Sequence, residues 1–436
     1  MRVLHSVFRY FPDRGGSETY VSALIRGLGA RGVENIIASS GEPPAEFTHE
    51  GVPVHRLGDV LSSSLEAQAK SAVDYTSRLR DLVTECSPDV LHLHYHPASF
   101  SNELLNGWLP PCPLVLTYHH PGVVCLRGDL LRFGRAPCTG VFDRQLCLPC
   151  ISRKLGMPSP LAGLFPFIPD SVGLRLARIL PRGKLRTVAS MGAAVSRRMS
   201  QNHALLRAST HVFVLAQWTR DMLIDAGVSV ERVQVSRIGT HNDNPGTRAA
   251  SRRSERLRGI FVGRLDHFKG IPLIAQAMQR LPNLPLEVDA FGPLETADRE
   301  LVPLIEAGKH PDARLRFRGT LPDSEVVKTM HTYDFAIVCS QSFETGPYVV
   351  IEAFQAGLPV LGTDIGGINE LVAHDHNGWL VPLGSVEGWK LALQKITEDR
   401  SALDRWRTHA QWQRTMNDVA GEVLAAYVGI VPAKNR

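Results

Sequence analysis

Ser340-Gln-Ser-Phe-Glu-Thr-Gly-Pro-Tyr-Val-Val-Ile-Glu-Ala-Phe-Gln-Ala-Gly-Leu-Pro359 is the stretch from which the rest of the chain can be read. The apolar run Asp334-Phe-Ala-Ile-Val-Cys339 precedes it and reads as a buried strand. A short polar loop carrying Glu344 follows. Pro347 stands where a helix can start, because its missing N–H costs nothing in a first turn. Tyr348 to Ala356 is apolar except at Glu352 and Gln355, the pattern of a helix laid on a sheet. Gly357 and Pro359 then end it. Strand, loop and helix in that order predict an α/β unit with Glu344 and Glu352 at the C-terminal edge of a parallel sheet. Ligands of doubly wound sheets bind along that edge, where helix N-termini offer free N–H groups. An unpaired charge buried in an apolar helix is costly, so the two glutamates are read as parts of a site.

The chain has 436 residues, of which 44% are hydrophobic and 21% charged. That length and balance imply two domains with sizeable cores and exclude global disorder. A net charge of +5 is too mild to argue for nucleic acid, and none is expected as a partner. The opening Met1-Arg-Val-Leu-His-Ser-Val-Phe-Arg9 lacks the apolar region of a signal peptide and reads as a first strand. No apolar run reaches the roughly 18 residues that span a bilayer. The expected location is the cytoplasm, where structural disulfides are rare.

Strands and helices alternate from the start. After Val3 to Phe8, the loop Tyr10 to Ser17 leads into a helix from Glu18 to Ala30, with Val21, Leu24, Ile25 and Leu28 on one face. Gly15 and Gly16 let backbone approach a ligand closely, although a plain strand-to-helix turn explains them equally well. The run is not the Gly-x-Gly-x-x-Gly fingerprint of dinucleotide binding. His92 and His94 fall on one side of the strand Asp89 to His94. With no third ligand evident, they are read as lining a site or core and not as holding a metal. Leu114 to His120 is another strand, ending in His119 and His120 at the ligand edge. The polar, aperiodic segment 241–257 reads as a linker. A second alternating series begins beyond it. Two mostly parallel sheets joined by a linker are expected to leave a ligand cleft.

One region interrupts this order. Cys125, Cys138, Cys147 and Cys150 lie within 26 residues, in the spacing C-x12-C-x8-C-x2-C. Four thiols suit a structural Zn2+, which would fold a loop short of its own core. An iron–sulfur cluster, a redox pair and unliganded thiols are the alternatives. From Arg153 to Arg198 there are nine Lys or Arg and one acid, Asp170, among leucines and aromatics. That mixture suits peripheral contact with an anionic membrane face, or else a helical hairpin with a solvated basic side.

Gly263-Arg-Leu-Asp-His-Phe-Lys-Gly270 follows the first strand of the second series and sets Arg264 and Lys269 at the ligand edge. Guanidinium forks and ammonium point charges both suit phosphate. Thr363-Asp-Ile-Gly-Gly367 predicts free N–H groups at another helix start. Taken together, these motifs resemble retaining glycosyltransferase family 4, of the GT-B fold. Glu344 and Glu352 match its E-x7-E motif, and the Gly-Arg-Leu…Lys-Gly segment, Asn377-Gly-Trp-Leu-Val-Pro382 and Gly15-Gly-Ser-Glu18 match elsewhere. The likeness covers nearly the whole chain except about residues 122–205. His120-Pro121 replaces the family's Asp after the histidine, and Ser236-Arg-Ile-Gly239 its usual Pro-Asn-Gly.

The resemblance implies two Rossmann-like domains: an N-terminal acceptor domain over 1–240, and a nucleotide-sugar domain over 258–412. It implies a C-terminal helix over 413–436 that packs back on the first domain. The donor is then a nucleoside-diphosphate sugar, and the acceptor a glycan or lipid-linked molecule of cell-surface polysaccharide or glycoconjugate synthesis. Glu352 would accept bonds from both ribose hydroxyls. Arg264 and Lys269 would hold the diphosphate and stabilise its growing charge. Glu344, Thr345 and Gly346 would orient the sugar, His119 would face it, and Gly15 and Gly16 would close over diphosphate and sugar. No catalytic metal is implied, so zinc would be structural. The alternative is an inactive sugar-nucleotide-binding or assembly protein.

Overall fold

Strands of Val, Leu, Ile and Phe alternate with one-sided apolar helices, and in the computed structural model they build two parallel sheets. Residues 1–11, 15–60, 65–181, 183–240, 255–295, 297–310 and 313–432 are described. The chain divides into two compact units, Met1–Arg237 with Met416–Arg436, and Ile238–Thr415. Of the segment read as a linker, residues 241–254 lie outside the described residues; Leu257 already opens a strand.

The first unit holds β1 (Arg2–Val7), β2 (Glu34–Ser39), β3 (Gly41–His49), β4 (Val52–Gly58), β5 (Val90–Leu93) and β6 (Leu114–Tyr118). A separate ribbon follows, β7 (Leu131–Arg132) with β8 (Ala136–Pro137), and then β9 (His211–Val214) and β10 (Val233–Val235) return to the sheet. The order is β10-β9-β6-β5-β1-β2-β4-β3, parallel except for β3 against β4. From Val3 onward β1 is buried residue by residue, as a strand covered on both faces must be. β3 carries Pro43 and Pro44, and only an edge strand tolerates such residues, because its outer N–H groups pair with nothing. The helix Met416–Ile430 belongs to this unit and packs on the helix Gly16–Gly29. Their backbones come so close that a Cβ on Gly27 would lie 2.6 Å from that of Ala420.

The insertion is helical, with Arg144–Lys154, Asp170–Ile179 and Lys184–Ala208 as its main elements. Here the metal reading is corrected. Among the described residues, the group whose ligand atoms gather within 4.8 Å of one another is His5, His92 and His94, not the four cysteines. Cys125, Cys138 and Cys147 are free and half-buried, and Cys150 is free and buried. The Cys150 sulfur accepts the Phe133 N–H at 3.1 Å, and burial pushes the Cys147 and Cys150 thiols up, toward the protonated form. The physical reason is that the insertion has its own core. Leu148, Met191 and Val195 pack with Leu126, Phe142, Ile151 and Val188, and Asp143 caps the helix that carries Cys147 and Cys150. Arg127 and Asp129 add a nearly buried ion pair at 3.0 Å. Apolar contacts and a helix cap thus give the insertion a core of its own.

The second unit holds β11 (Leu257–Val262), β12 (Leu286–Phe291), β13 (Leu315–Phe317), β14 (Phe335–Val338), β15 (Val360–Thr363) and β16 (Gly378–Val381), all parallel, in the order β13-β12-β11-β14-β15-β16. Its core includes Phe335, Trp389 and Trp406, each almost fully buried. In both sheets the chain winds outward one way and then returns to wind the other. The reversal falls between β1 and β5 in the first and between β11 and β14 in the second. Loops leaving neighbouring strands diverge at such a point and open a crevice.

Candidate active site

In the second unit the loops after β11 and β14 lie on either side of the reversal. They bring Lys269 and Glu344 together: Nζ and Oε1 are 2.5 Å apart, and Ser340 Oγ donates to the same oxygen at 2.6 Å. Burial alone would push the Glu344 carboxyl up. Lys269, the Ser340 hydroxyl and Arg264 outweigh it and hold the group below the usual carboxylate range.

Backbone contacts fix this pairing. Gln341 N–H bonds to Phe268 C=O at 2.6 Å, and the Cys339 thiol to Lys269 C=O at 3.1 Å. Gly270, at φ +75, lies so near β14 that a Cβ would stand 1.9 Å from the Cys339 oxygen. No other residue fits there. Asp266 caps the turn by accepting from Lys269 N–H at 3.0 Å, and it also pairs with Arg264 at 3.1 Å. The Arg264 side chain is 69% exposed.

Gly366 and Gly367 behave differently from the sequence expectation. The Gly367 N–H is not open to a ligand; it bonds to Glu344 C=O at 2.7 Å. The paired glycines admit the Glu344 loop, since a Cβ on Gly367 would stand 2.8 Å from that oxygen. Thr345 is buried in the loop and Gly346 half-buried beside it. Glu352 lies in the helix Tyr348–Gln355, which Pro347 begins. Burial, with Asp323 adding to it, pushes its carboxyl up to about 7.

In the first unit Gly15 caps the helix Gly16–Gly29, and its missing side chain is filled from within. A Cβ there would stand 2.8 Å from Glu18 Oε2, which also accepts from Ser17 Oγ at 2.9 Å. Gly16 is the first residue of the helix. His119, after β6, bonds through Nε2 to His94 Nδ1 at 3.1 Å and meets the Tyr20 ring edge-on. His120 instead accepts from Gly122 N–H and caps a short turn. The third histidine that the sequence did not reveal is His5, on β1 opposite His92 of β5. His5, His92 and His94 are buried, and burial drives all of them toward the neutral form: His5 down to about 4, His92 and His94 well below their usual value. Burial likewise takes His119 down to about 3. Ser340, Asp266, Gln341, His5 and Asn35 were all invisible as functional residues in the sequence. Their signal lies in the register of neighbouring strands and in loop contacts, not in spacing.

Residues 247–413 match the family of glycosyl transferases group 1, and residues 15–239 match the glycosyl transferase 4-like domain. The chain belongs to the GT4 glycosyltransferase family. This family member is 26% identical to the D-inositol 3-phosphate glycosyltransferase of an Arthrobacter species, over 92% of its own length and 88% of that protein's. It is 29% identical to the protein of the same description from Corynebacterium aurimucosum, over 49% of this chain and 54% of that one. The amylovoran biosynthesis glycosyltransferase AmsK of Erwinia amylovora is 25% identical over 52% of this chain and 58% of its own. The chain thus spans little more than half the length of those last two relatives. Among solved structures, Anabaena HepE in complex with UDP-glucose superposes with a TM-score of 0.63, at 15% identity over 98% of this chain and 100% of that one. That likeness establishes the GT-B fold.

Proposed function

We propose that this family member is a retaining glycosyltransferase, moving a sugar from a nucleoside-diphosphate sugar to a glycan or lipid-linked acceptor. The observation that carries the reading is the Lys269–Glu344 pair, held by Ser340 where the second sheet reverses. Lys269 and Arg264 hold the diphosphate and stabilise the charge that grows on it as the glycosidic bond breaks. Glu344, kept ionised by its partners, accepts bonds from the sugar hydroxyls, with Thr345 and Gly346 beside it. Glu352 accepts from the two ribose hydroxyls, which needs its ionised form. His119 bonds a hydroxyl of the transferred sugar, and Gly15 and Gly16 give backbone access to diphosphate and sugar.

In this reaction the acceptor oxygen attacks the anomeric carbon from the face that the leaving phosphate occupies. The bond from that carbon to the β-phosphate oxygen breaks, and the acceptor's proton passes to that oxygen, so configuration is kept. Neither glutamate is assigned as a nucleophile, because double displacement needs carboxyls roughly 5 Å apart across the sugar. The names of the relatives favour a phosphorylated polyol or an exopolysaccharide intermediate as acceptor, and the HepE complex favours UDP as the donor's nucleotide. The insertion supplies peripheral contact with an anionic membrane face.

A hydrolysis and transfer screen over UDP-, GDP- and ADP-sugars tests this. Turnover with one donor, an α product from an α donor by NMR, and losses in Lys269→Ala and Glu344→Gln are expected. Binding without turnover for every donor would leave a sugar-nucleotide-binding protein instead.

A further inference from the structure

Arg198 stands in the middle of the insertion helix Lys184–Ala208 and is half-buried. Among the described residues its guanidinium makes neither a hydrogen bond nor an ion pair. Burial works against its charge, and a cation taken from water ordinarily finds a carboxylate. The groups within its electrostatic reach are instead Tyr95 and His96, just after β5. His96 Nε2 is buried with no partner, and the Tyr95 hydroxyl makes no hydrogen bond among the described residues. Burial keeps both neutral: it pushes the Tyr95 phenol well up and, with Arg198 adding to it, takes His96 down to about 3. Buried polar groups without partners are rare in folded proteins, and three that share one place call for an occupant. The fold sets them at a ligand edge. Tyr95 N–H bonds to Ser6 C=O at 3.0 Å, so Tyr95 lies where β1 and β5 diverge at the reversal of the first sheet. Its ring rests on Phe8, with centroids 4.8 Å apart. Gln201, one turn beyond Arg198, donates to Asn102 at 2.9 Å, which ties the insertion helix to the helix Ala98–Leu105 that starts just after His96. Asp59 is the acid that reaches Tyr95, and it pairs with Arg9 at 3.9 Å.

We propose that Arg198, Tyr95 and His96 form an anion subsite, within the first unit alone, that takes a phosphate group of the acceptor. The inference rests on the proposed glycosyl transfer only in naming the acceptor as the molecule that bears the phosphate. Arg198 lies in the stretch of about residues 122–205 that the likeness to the family leaves out, so the subsite belongs to this chain's insertion. The guanidinium forks onto two phosphate oxygens, and the Tyr95 hydroxyl and the His96 ring N–H donate to those that remain. A phosphate monoester fits better than a carboxylate. It brings three acceptor oxygens and up to two charges to one cation and two neutral donors, where a carboxylate brings two oxygens and one charge.

The test titrates glucose 6-phosphate, glucuronate, glucose and inorganic phosphate by calorimetry into the full chain carrying Lys269→Ala, which removes the ammonium of the second unit's site. Glucose 6-phosphate is expected to bind at least tenfold more tightly than glucuronate or glucose. Adding Arg198→Gln should weaken it about tenfold or more, and Arg198→Lys, which keeps the charge, should weaken it less. In the wild-type chain glucose 6-phosphate should shield Arg198 from phenylglyoxal, read by mass spectrometry of the labelled peptide. If Arg198→Gln does not fold, the shielding decides. Equal affinity in folded Arg198→Gln, or labelling of Arg198 that the phosphate ester leaves unchanged, would overturn the subsite. Glucuronate binding as tightly as the ester would overturn the phosphate assignment, and inorganic phosphate binding more tightly than the ester would leave an adventitious ion only. No readout uses a donor. Arg198-dependent binding of the ester by a chain that turns over no donor would therefore sink the glycosyl-transfer reading and leave the anion subsite standing.

Discussion

At the scale of single residues, two glutamates eight positions apart have opposite electrostatics. Glu344 sits beside an ammonium and a hydroxyl and is held low, whereas burial and Asp323 lift Glu352 to about 7. Removing the cation in Lys269→Ala leaves Glu344 half-desolvated with only Ser340. The expected cost is about 1–2 kcal/mol in stability and a fall of about 100- to 1000-fold in kcat. Denaturant titration and donor kinetics read the two separately. Glu352 gives a pH signature: donor affinity should weaken about tenfold per unit as pH falls below about 7. Glu352→Gln should flatten that profile, and calorimetry from pH 5.5 to 8.5 would show it; a profile unchanged by the substitution would remove Glu352 from the donor site. The signs for stability also differ. Glu352 binds its proton more tightly folded than unfolded, so it weakens the fold as pH rises from its ordinary 4.5 through about 7. Glu344 does the reverse, and its contribution is present above the ordinary value and lost as pH falls through its depressed one.

At the scale of elements, strand–loop–helix order was legible around Glu344 because proline, glycine and an apolar run punctuate it. The clamp that holds the loop was not legible, because Gly270 meets Cys339 only after β11 and β14 are adjacent. The insertion was misread for a related reason. Four cysteines close in sequence suggested a metal, but among the described residues they do not gather as one ligand set, and the insertion carries a core around Leu148 and Met191. Prolonged dialysis against a chelator should therefore leave the melting temperature within about 1 °C, and a larger drop would reinstate a metal. The same insertion exposes Phe167 at 75% and Ile179 at 80%, and Arg175 and Arg178 of its helix Asp170–Ile179 are exposed as well. Co-sedimentation with phosphatidylglycerol vesicles should exceed that with phosphatidylcholine. A double change, Phe167→Ser with Ile179→Ser, should abolish the difference and leave donor turnover intact.

At the scale of the whole molecule, the last helix is part of the first unit's core. Val419, Ala420, Val423 and Tyr427 are fully buried, and Tyr427 reaches His92 at 2.5 Å. Gly27→Leu should overpack that helix contact and cost about 1–3 kcal/mol, measured by thermal or urea unfolding. Ending the chain before Met416 should expose the same face and leave the first unit insoluble. By itself the sequence determined the α/β class, the family, and Arg264, Lys269, Glu344, Glu352 and His119 as the residues to watch, since periodicity and motif spacing are local. Only the tertiary structure decided which of them touch. It paired Lys269 with Glu344, gave the Gly367 N–H to the protein's own backbone, and aligned Asn35, His5, His94 and His119. Each of those facts depends on strand order and loop contacts, which bring together residues tens of positions apart and so leave no trace in local spacing.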